Sequence, residues 1–427
     1  MAKRATVAQR VAEAVGTVLG VTELPIRIRA WDGSEAGPAD APLVVVRSRR
    51  ALRRLVWAPG ELGLGRAYVS GDLDVEGDIY AAFSAVSSVG RLAADDGSPA
   101  ISLKERLALI RTAAGLGVLG PNPTPPAEEV RINGSGRLHS RSRDAAAVSY
   151  HYDVGNDFYR MVLGPSMVYS CAVWDDASVG LDAAQEAKLD LVCRKLELRP
   201  GTRLLEVGCG WGSLALHAAQ HYGAQVVGIT LSTQQANLAR KRLAEAGLTD
   251  RVDIRVQDYR EVADGPFDAI SSVGMAEHVG RAQLPVYVSR LTDLLRPGGR
   301  LLNHAIAWNA GETTWDPDTF IARYVFPDGE LISLAEMVRR LEATGLEVLD
   351  VEALRQHYAL TLRAWVDNLE KRWDGAVAAT TVGRARVWRL YMAASALAFE
   401  AGTMGVNQVL LQRPGGDRPP LRRTGWV

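Results

Sequence analysis

The chain has 427 residues, 47% of them hydrophobic, and its 49 Lys and Arg balance 49 Asp and Glu for a formal net charge of +0. That length exceeds one ordinary core and predicts two domains, and the balanced charge excludes a general basic field for gripping nucleic acid. Cys171, Cys193 and Cys209 are spaced too widely and irregularly for a disulfide framework or a zinc knot, and no apolar run is long enough to span a bilayer.

Apolar Val7, Val11, Val15 and Val18 predict a helix over 7–19. The preceding MAKRATVAQR is basic, but AVGTVLGV is a short apolar stretch without a convincing cleavage site, so the segment reads as an amphipathic helix rather than a signal peptide. Strands are expected at 25–30 and 43–47 and a short helix at 50–55, while the glycine-rich, acidic run at 58–78 reads as turns and short segments. Residues 1–90 are thus a separable α+β domain. Residues 91–145 read as a linker with one helix near 103–114, a PNPTPP run at 121–126 that no helix accommodates, and a basic stretch with Arg137, Arg141 and Arg143.

A helical lead-in with His151, Tyr152 and Asp153 opens the second domain, residues 146–413. Strands at 203–207, 225–229, 252–256, 267–273 and 299–305 alternate with helices at about 211–222, 232–246 and 281–295, the rhythm of an α/β parallel sheet covered on both faces. After 301 the rhythm breaks: 307–330 is aromatic and punctuated by proline. A helix at 331–343, a strand at 346–351, helices at 361–373 and 381–401, and a strand at 405–412 follow. The expected architecture is a Rossmann-like, seven-stranded, mostly parallel sheet with a helical insertion at about 307–401 and a loose tail at 414–427.

The run RLLEVGCGWGSLAL at 203–216 passes from apolar strand through a glycine-rich turn into an apolar helix. Gly208, Gly210 and Gly212 allow close backbone approach of a ligand, and the helix offers free N–H groups. An acid, Glu206, precedes the turn; it would repel a diphosphate but receive the ammonium of an amino-acid-like cofactor. The second strand ends in GITLSTQQ, placing Thr230, Leu231, Ser232 and Gln235 where ribose hydroxyls are held, and the acid expected there of an NAD site is missing. Asp258, after the third strand, is positioned either to bind an adenine amine or to cap the next turn.

Five further segments carry chemistry: HYD at 151–153, YSC at 169–171, MAEHVG at 275–280, NHAI at 303–306 and HYALTL at 357–362. MAEHVG follows the fourth strand and NHAI ends the fifth, both at the rim where open α/β sheets bind ligands. Glu277 and His304 there suit proton transfer, with metal ligation or plain capping as the alternatives; no HxxxH or HxH spacing supports a metal. His151 and His278 also fall in these segments.

Together these segments resemble the cyclopropane-fatty-acyl-phospholipid synthase family, within the S-adenosylmethionine-dependent mycolic acid cyclopropane synthase superfamily. The resemblance is carried by HYDxxNxFY at 151–159, PSMVYSC ending at Cys171, AQEAK at 184–188, EVGCGWG at 206–212, TLSTQQ at 230–235, YVFPDGEL at 324–331 and HYALTLRAW at 357–365. It implies a class I methyltransferase fold, with S-adenosyl-L-methionine as cosubstrate lined by Tyr169, Glu206, Gly208, Gly210, Thr230, Leu231, Gln235 and Asp258. It also implies a bicarbonate ion held by Cys171, Glu277, His304, the backbone of Ile306 and Tyr358. The family often has Asp at the position of Glu206 and Thr at that of Ala305. The N-terminal domain resembles that of the phospholipid-acting branch, where it is linked to dimer formation and membrane engagement.

The resemblance therefore implies methylene transfer to the cis double bond of an unsaturated phospholipid acyl chain. The enzyme would be a cytoplasmic homodimer peripherally associated with the inner face of the membrane. Cationic candidates for that contact are Lys3, Arg4 and Arg10; Arg47, Arg49 and Arg50 with Arg53 and Arg54; and Arg137, Arg141 and Arg143. Alternatives are a 10-methylene product, methylation of a soluble small molecule, and a lipid-binding relative without catalysis; the intact Glu277 and Tyr358 oppose the last.

Overall fold

The computed structural model describes residues 4–95, 102–130, 139–152, 154–309, 316–422 and 426; Lys3, Arg137, Asp153 and the side chain of Arg141 lie outside the described residues. The chain forms two compact units. The first comprises Met1–Arg131, Asp318–Val325 and Thr381–Leu397, and the second Ile132–Pro317, Phe326–Thr380 and Ala398–Val427.

In the first unit, β1 (Arg27–Arg29), β2 (Glu35–Ala36), β3 (Leu43–Val46) and β4 (Leu73–Glu76) form a sheet in the order β2-β1-β3-β4. β1 and β3 are parallel; the other pairs are antiparallel. The helix Val7–Leu19 opens on a Thr6–Gln9 capping box and stops at Gly20 in the left-handed region. Its Val11 joins Ile26, Ile28, Val46 and Ala51 in the core.

Three sequence expectations change here. Residues 58–78 contain a helix, Glu61–Val69. Its glycines serve packing rather than turning: a Cβ on Gly65 would lie 2.4 Å from the Phe320 ring. The boundary drawn at residue 90 falls inside the helix Ile79–Asp95, and Leu116 and Val118 of the expected linker belong to the core of this unit. Finally, the insertion is not one body. The Phe320 amide donates to Glu61 Oε1 (2.8 Å) and Arg386 Nη2 to Asp74 Oδ2 (2.7 Å), tying two of its stretches to this unit.

The cationic clusters are largely occupied by the protein itself. Arg47 pairs with Asp74 (2.8 Å), and Arg54, 6% exposed, pairs with Asp72 (3.0 Å). Arg53 donates to Val118 O (2.9 Å), Arg10 to Thr112 O (3.3 Å), and in the second unit Arg143 pairs with Asp328 (2.6 Å).

The second unit is built on β5 (Arg203–Val207), β6 (Gln225–Thr230), β7 (Val252–Val256), β8 (Phe267–Val273), β9 (Leu295–Trp308), β10 (Glu347–Ala353) and β11 (Met404–Gln412). Their order is β10-β11-β9-β8-β5-β6-β7, and only β11 runs against the rest. The strands after β5 go to one side and β8 and β9 to the other, which opens a crevice at the C-terminal ends of β5 and β8. The period of two sends Leu204, Leu302 and Leu410 to one core and Leu205, Leu301 and Leu411 to the other. Glu206 and His304 therefore share the first face.

β9 outruns its expected end because β11 pairs with it as far as Met404↔Trp308. The helix Arg355–Lys371 starts earlier than residue 361 because Leu354, which offers no side-chain cap, has its N–H bonded to Val406 O (2.8 Å). Part of the tail is docked: Trp426, 5% exposed, joins a core with the Arg300 guanidinium 5.4 Å from its ring centre.

Candidate active site

A cleft opens at the C-terminal ends of β5, β6 and β8, and all of Tyr169, Glu206, Gly208, Gly210, Thr230, Leu231, Gln235 and Asp258 line it. Gly208 (φ 81°) and Gly210 (φ 52°) turn the chain through left-handed conformations after β5. The Gly208 and Cys209 amides both donate to Ile229 O, at 3.0 and 2.9 Å, which fixes the turn against β6. A Cβ on Gly210 would meet nothing within 4 Å, so its glycine answers to conformation rather than crowding.

Glu206 projects from the end of β5 with 7% exposure, and its Oε2 has no hydrogen-bond partner among the described residues. Burial pushes its carboxyl up to about 8, against the pull of Lys188. Such an orphaned acceptor at a glycine cradle fits the ammonium of S-adenosylmethionine. Thr230 Oγ1 accepts from the Ser232 amide (3.1 Å) and donates to Gln235 Oε1 (2.8 Å), which aims the Gln235 amide. Asp258 does cap the turn, accepting from the Arg260 amide (2.9 Å) and guanidinium (2.6 Å), while also lining the cleft.

Cys171, Glu277, His304, Ile306 and Tyr358 do not line that cleft. They lie behind its inner wall and are joined by backbone contacts. β8 stops at Val273, paired with His304, and Gly274 donates to His304 O (2.9 Å). Beyond it the chain enters the turn Ala276–His278, and Glu277 Oε1 takes the Ile306 N–H (2.8 Å). The carboxylate thus substitutes for the strand carbonyl that β8 no longer supplies. On the other edge of β9, Val406 faces Ile306 in register and accepts from Leu354. Leu354 O faces Cys171 Sγ (3.6 Å) and accepts the Tyr358 N–H (3.1 Å).

Two polar atoms in this cluster are enclosed and lack a partner among the described residues: Glu277 Oε2 and His304 Nε2. Burial pushes Glu277 up to about 7 and His304 down to about 3, so the imidazole is neutral. Its Nδ1 faces Gln408 Nε2 at 3.3 Å; with Gln408 donating, the proton sits on Nε2. In that tautomer the pair offers one acceptor and one donor. The Cys171 thiol is fully buried and pushed well above its ordinary range, so it stays protonated.

Sequence reasoning missed Lys188. It lies in the helix Leu181–Lys195, 3% exposed, with Nζ 2.9 Å from Ser170 Oγ. Burial lowers it to about 8, while Cys171 and Glu206 pull it up, and its charge helps depress His304. It links the cleft to the cluster behind. Its sequence signals were the AQEAK segment at 184–188, which it ends, and its place on the helix just before the glycine-rich strand.

Residues 139–409 match the family model of mycolic acid cyclopropane synthetase. The chain belongs to that family. It is an S-adenosylmethionine-dependent methyltransferase of the cyclopropane and methyl transferases. It is 44% identical over 409 residues to a probable fatty acid methyltransferase of Mycobacterium tuberculosis, covering 93% of this chain and 94% of that protein. To the cyclopropane-fatty-acyl-phospholipid synthase of Escherichia coli it is 36% identical over 288 residues, or 67% of this chain and 73% of the relative. The crystal structure of the mycolic acid cyclopropane synthase CmaA1 with SAH and CTAB superposes with a TM-score of 0.60 at 33% identity, covering 63% of this chain and 98% of that one. The Rossmann-like methyltransferase fold expected of the sequence is the one observed.

In this family member Lys188→Met should weaken binding of the methyl donor at pH 7 by about tenfold, because Glu206 loses the cation that favours its charged form. Without the cation Glu206 titrates higher still, so the deficit should shrink as pH rises. Calorimetric titration across pH 6.5–9 checks this, and a pH-independent deficit would argue for lost packing instead.

Proposed function

We propose that this protein adds a one-carbon unit from S-adenosylmethionine across the cis double bond of an unsaturated phospholipid acyl chain and closes a cyclopropane ring. The observation that carries the reading is the enclosed pair of Glu277 Oε2 and His304 Nε2, one acceptor and one donor behind the cofactor cleft. An alkene is a weak nucleophile, so it calls for the electrophilic sulfonium methyl group, and its addition leaves a cation that must shed a proton.

The donor and acceptor pair fits a bicarbonate ion, whose hydroxyl and oxygens match Glu277 and His304 respectively; bound there, bicarbonate would supply the base for that proton. The protein's own groups orient and shield. Glu206 anchors the donor's amino group. The Ile306 N–H holds Glu277 in place beside the site the anion would occupy. Tyr358, 6% exposed and against Phe399 (4.8 Å between ring centres), closes the site to water. Tyr169, with Trp365 at 5.2 Å and Tyr159 at 5.7 Å, presents aromatic surface beside the cleft for a developing positive charge.

A second reading is favoured by the full-length similarity to a fatty acid methyltransferase, set against two-thirds coverage by the cyclopropane synthase. There the same cation loses a different proton after a hydride shift and leaves a methylene branch. Purified protein, labelled methyl donor and vesicles of monounsaturated phospholipid decide. NMR and mass spectrometry of the released acids should show a cyclopropane; an exocyclic methylene selects the second reading, and no label in any lipid removes both.

A further inference from the structure

We propose that the helix Leu103–Gly115 is the surface by which this protein docks on an anionic lipid bilayer. The inference rests on the reading of a lipid substrate above and adds the element that meets the lipid. The helix has no fully buried residue. It packs on the core of its unit through the partly buried Ala113, and Arg10 holds its end at Thr112 O (3.3 Å) and Gly115 O (3.4 Å).

The opposite face is apolar and open. Leu103 is 77% exposed, Leu107 49% and Ile110 56%. At 3.6 residues per turn these three and Ala114 fall within an arc of roughly 60°. Arg106 borders one edge of the stripe, and Lys104 and Arg111 border the other. None of the three cations forms an ion pair among the described residues, in contrast to Arg47, Arg54 and Arg143. A narrow apolar stripe flanked by cations can rest on a lipid surface, its leucines at the interface and its basic side chains reaching up to the headgroups. At the C-terminal end Leu119 (49%) and Trp57 (53%) are exposed as well, the indole donating to Gly120 O at 3.0 Å. Tryptophan suits the headgroup level.

Charge selects the occupant. Two copies of this helix meeting stripe to stripe would set cations against cations. The one acid of the helix, Glu105, lies away from the stripe, and its Oε2 is engaged by the Ser102 amide (2.7 Å). An anionic surface complements both edges at once.

The test uses the full chain and co-sedimentation with vesicles of phosphatidylglycerol and phosphatidylcholine. Lys104→Gln with Arg106→Gln and Arg111→Gln should lower partitioning roughly 100-fold on the anionic vesicles. Leu103→Gln with Leu107→Gln and Ile110→Gln should lower it at least as far. Both variants should bind the methyl donor as the parent does and modify detergent-dispersed lipid at the parent rate. Parental vesicle binding in both variants overturns the proposal. So does an apolar variant whose only change is a smaller sedimentation coefficient, since the stripe would then join two copies of the chain. If the parent methylates no lipid, the substrate reading fails, and the vesicle arms still decide the docking surface.

Discussion

Glu277→Gln should lower the rate of methyl transfer by about 10²- to 10⁴-fold, the usual contribution of a group governing proton transfer, and leave the methyl donor's Kd unchanged. The Ile306 N–H keeps its acceptor in the glutamine, so the β9 edge stays bonded and only the charge is lost. The same change should make the unliganded protein more stable at pH 7. Glu277 titrates near 7 in the fold and at 4.5 when unperturbed. Below 4.5 both states hold the proton and the group is neutral toward stability. Between 4.5 and 7 the unfolded chain releases a proton that the folded chain keeps, so folding stability falls as pH rises. At about 1.4 kcal/mol per unit the gain on substitution is roughly 1–3 kcal/mol at pH 7, vanishing near pH 4.5. Single-turnover kinetics paired with denaturant titrations at both pH values read the two effects. Full turnover in the variant would remove Glu277 from the mechanism. In the parent, activity should fall as pH drops through about 7, where Glu277 takes up its proton.

Glu206→Gln should weaken binding of S-adenosylmethionine by about 10- to 100-fold, the worth of a hydrogen bond to a charged group. The pH dependence carries more information than the loss. Glu206 titrates near 8 without ligand, so the parent should gain up to about tenfold in affinity per unit as pH rises toward 8. The glutamine variant should be flat over that range. Calorimetry in buffers of differing ionisation enthalpy adds a second readout, because the parent should release a proton on binding at pH 7 and the variant none. A variant with parental affinity and slope would dismiss Glu206 as the anchor. Both acids are retained at a cost to the unliganded fold, as expected of groups kept for function.

The cofactor turn was legible because its chemistry is local. Glu206, Gly208 and Gly210 occupy alternate positions within five residues of one strand and turn, and no distant contact is needed to read them. Asp258 shows the limit of such reading: its spacing allowed a cap or a ligand contact, and the structure has it capping the turn while facing the cleft. Ile306 shows the same limit. Sequence reading ended its strand at residue 305, whereas it lies within β9, and where its N–H points depends on β8 ending at Val273, one strand away. Among the cationic candidates, Arg47, Arg54 and Arg143 look free in sequence, and their acids at 74, 72 and 328 become neighbours only on folding.

By itself, then, the sequence determined the α/β class, the strand order along the chain, the glycine cradle and the acid before it. Each follows from periodicities of two and 3.6 and from backbone rules that act over a few residues. The tertiary structure alone decided which buried groups lack partners. Glu206 Oε2, Glu277 Oε2 and His304 Nε2 are buried without a partner among the described residues because strands and helices distant in sequence enclose them. It also decided the place of Lys188, whose helix packs on the face shared by Glu206 and His304 and brings one cation between two sites the sequence left separate. Burial and long-range proximity are properties of the packed chain, and charge states follow them.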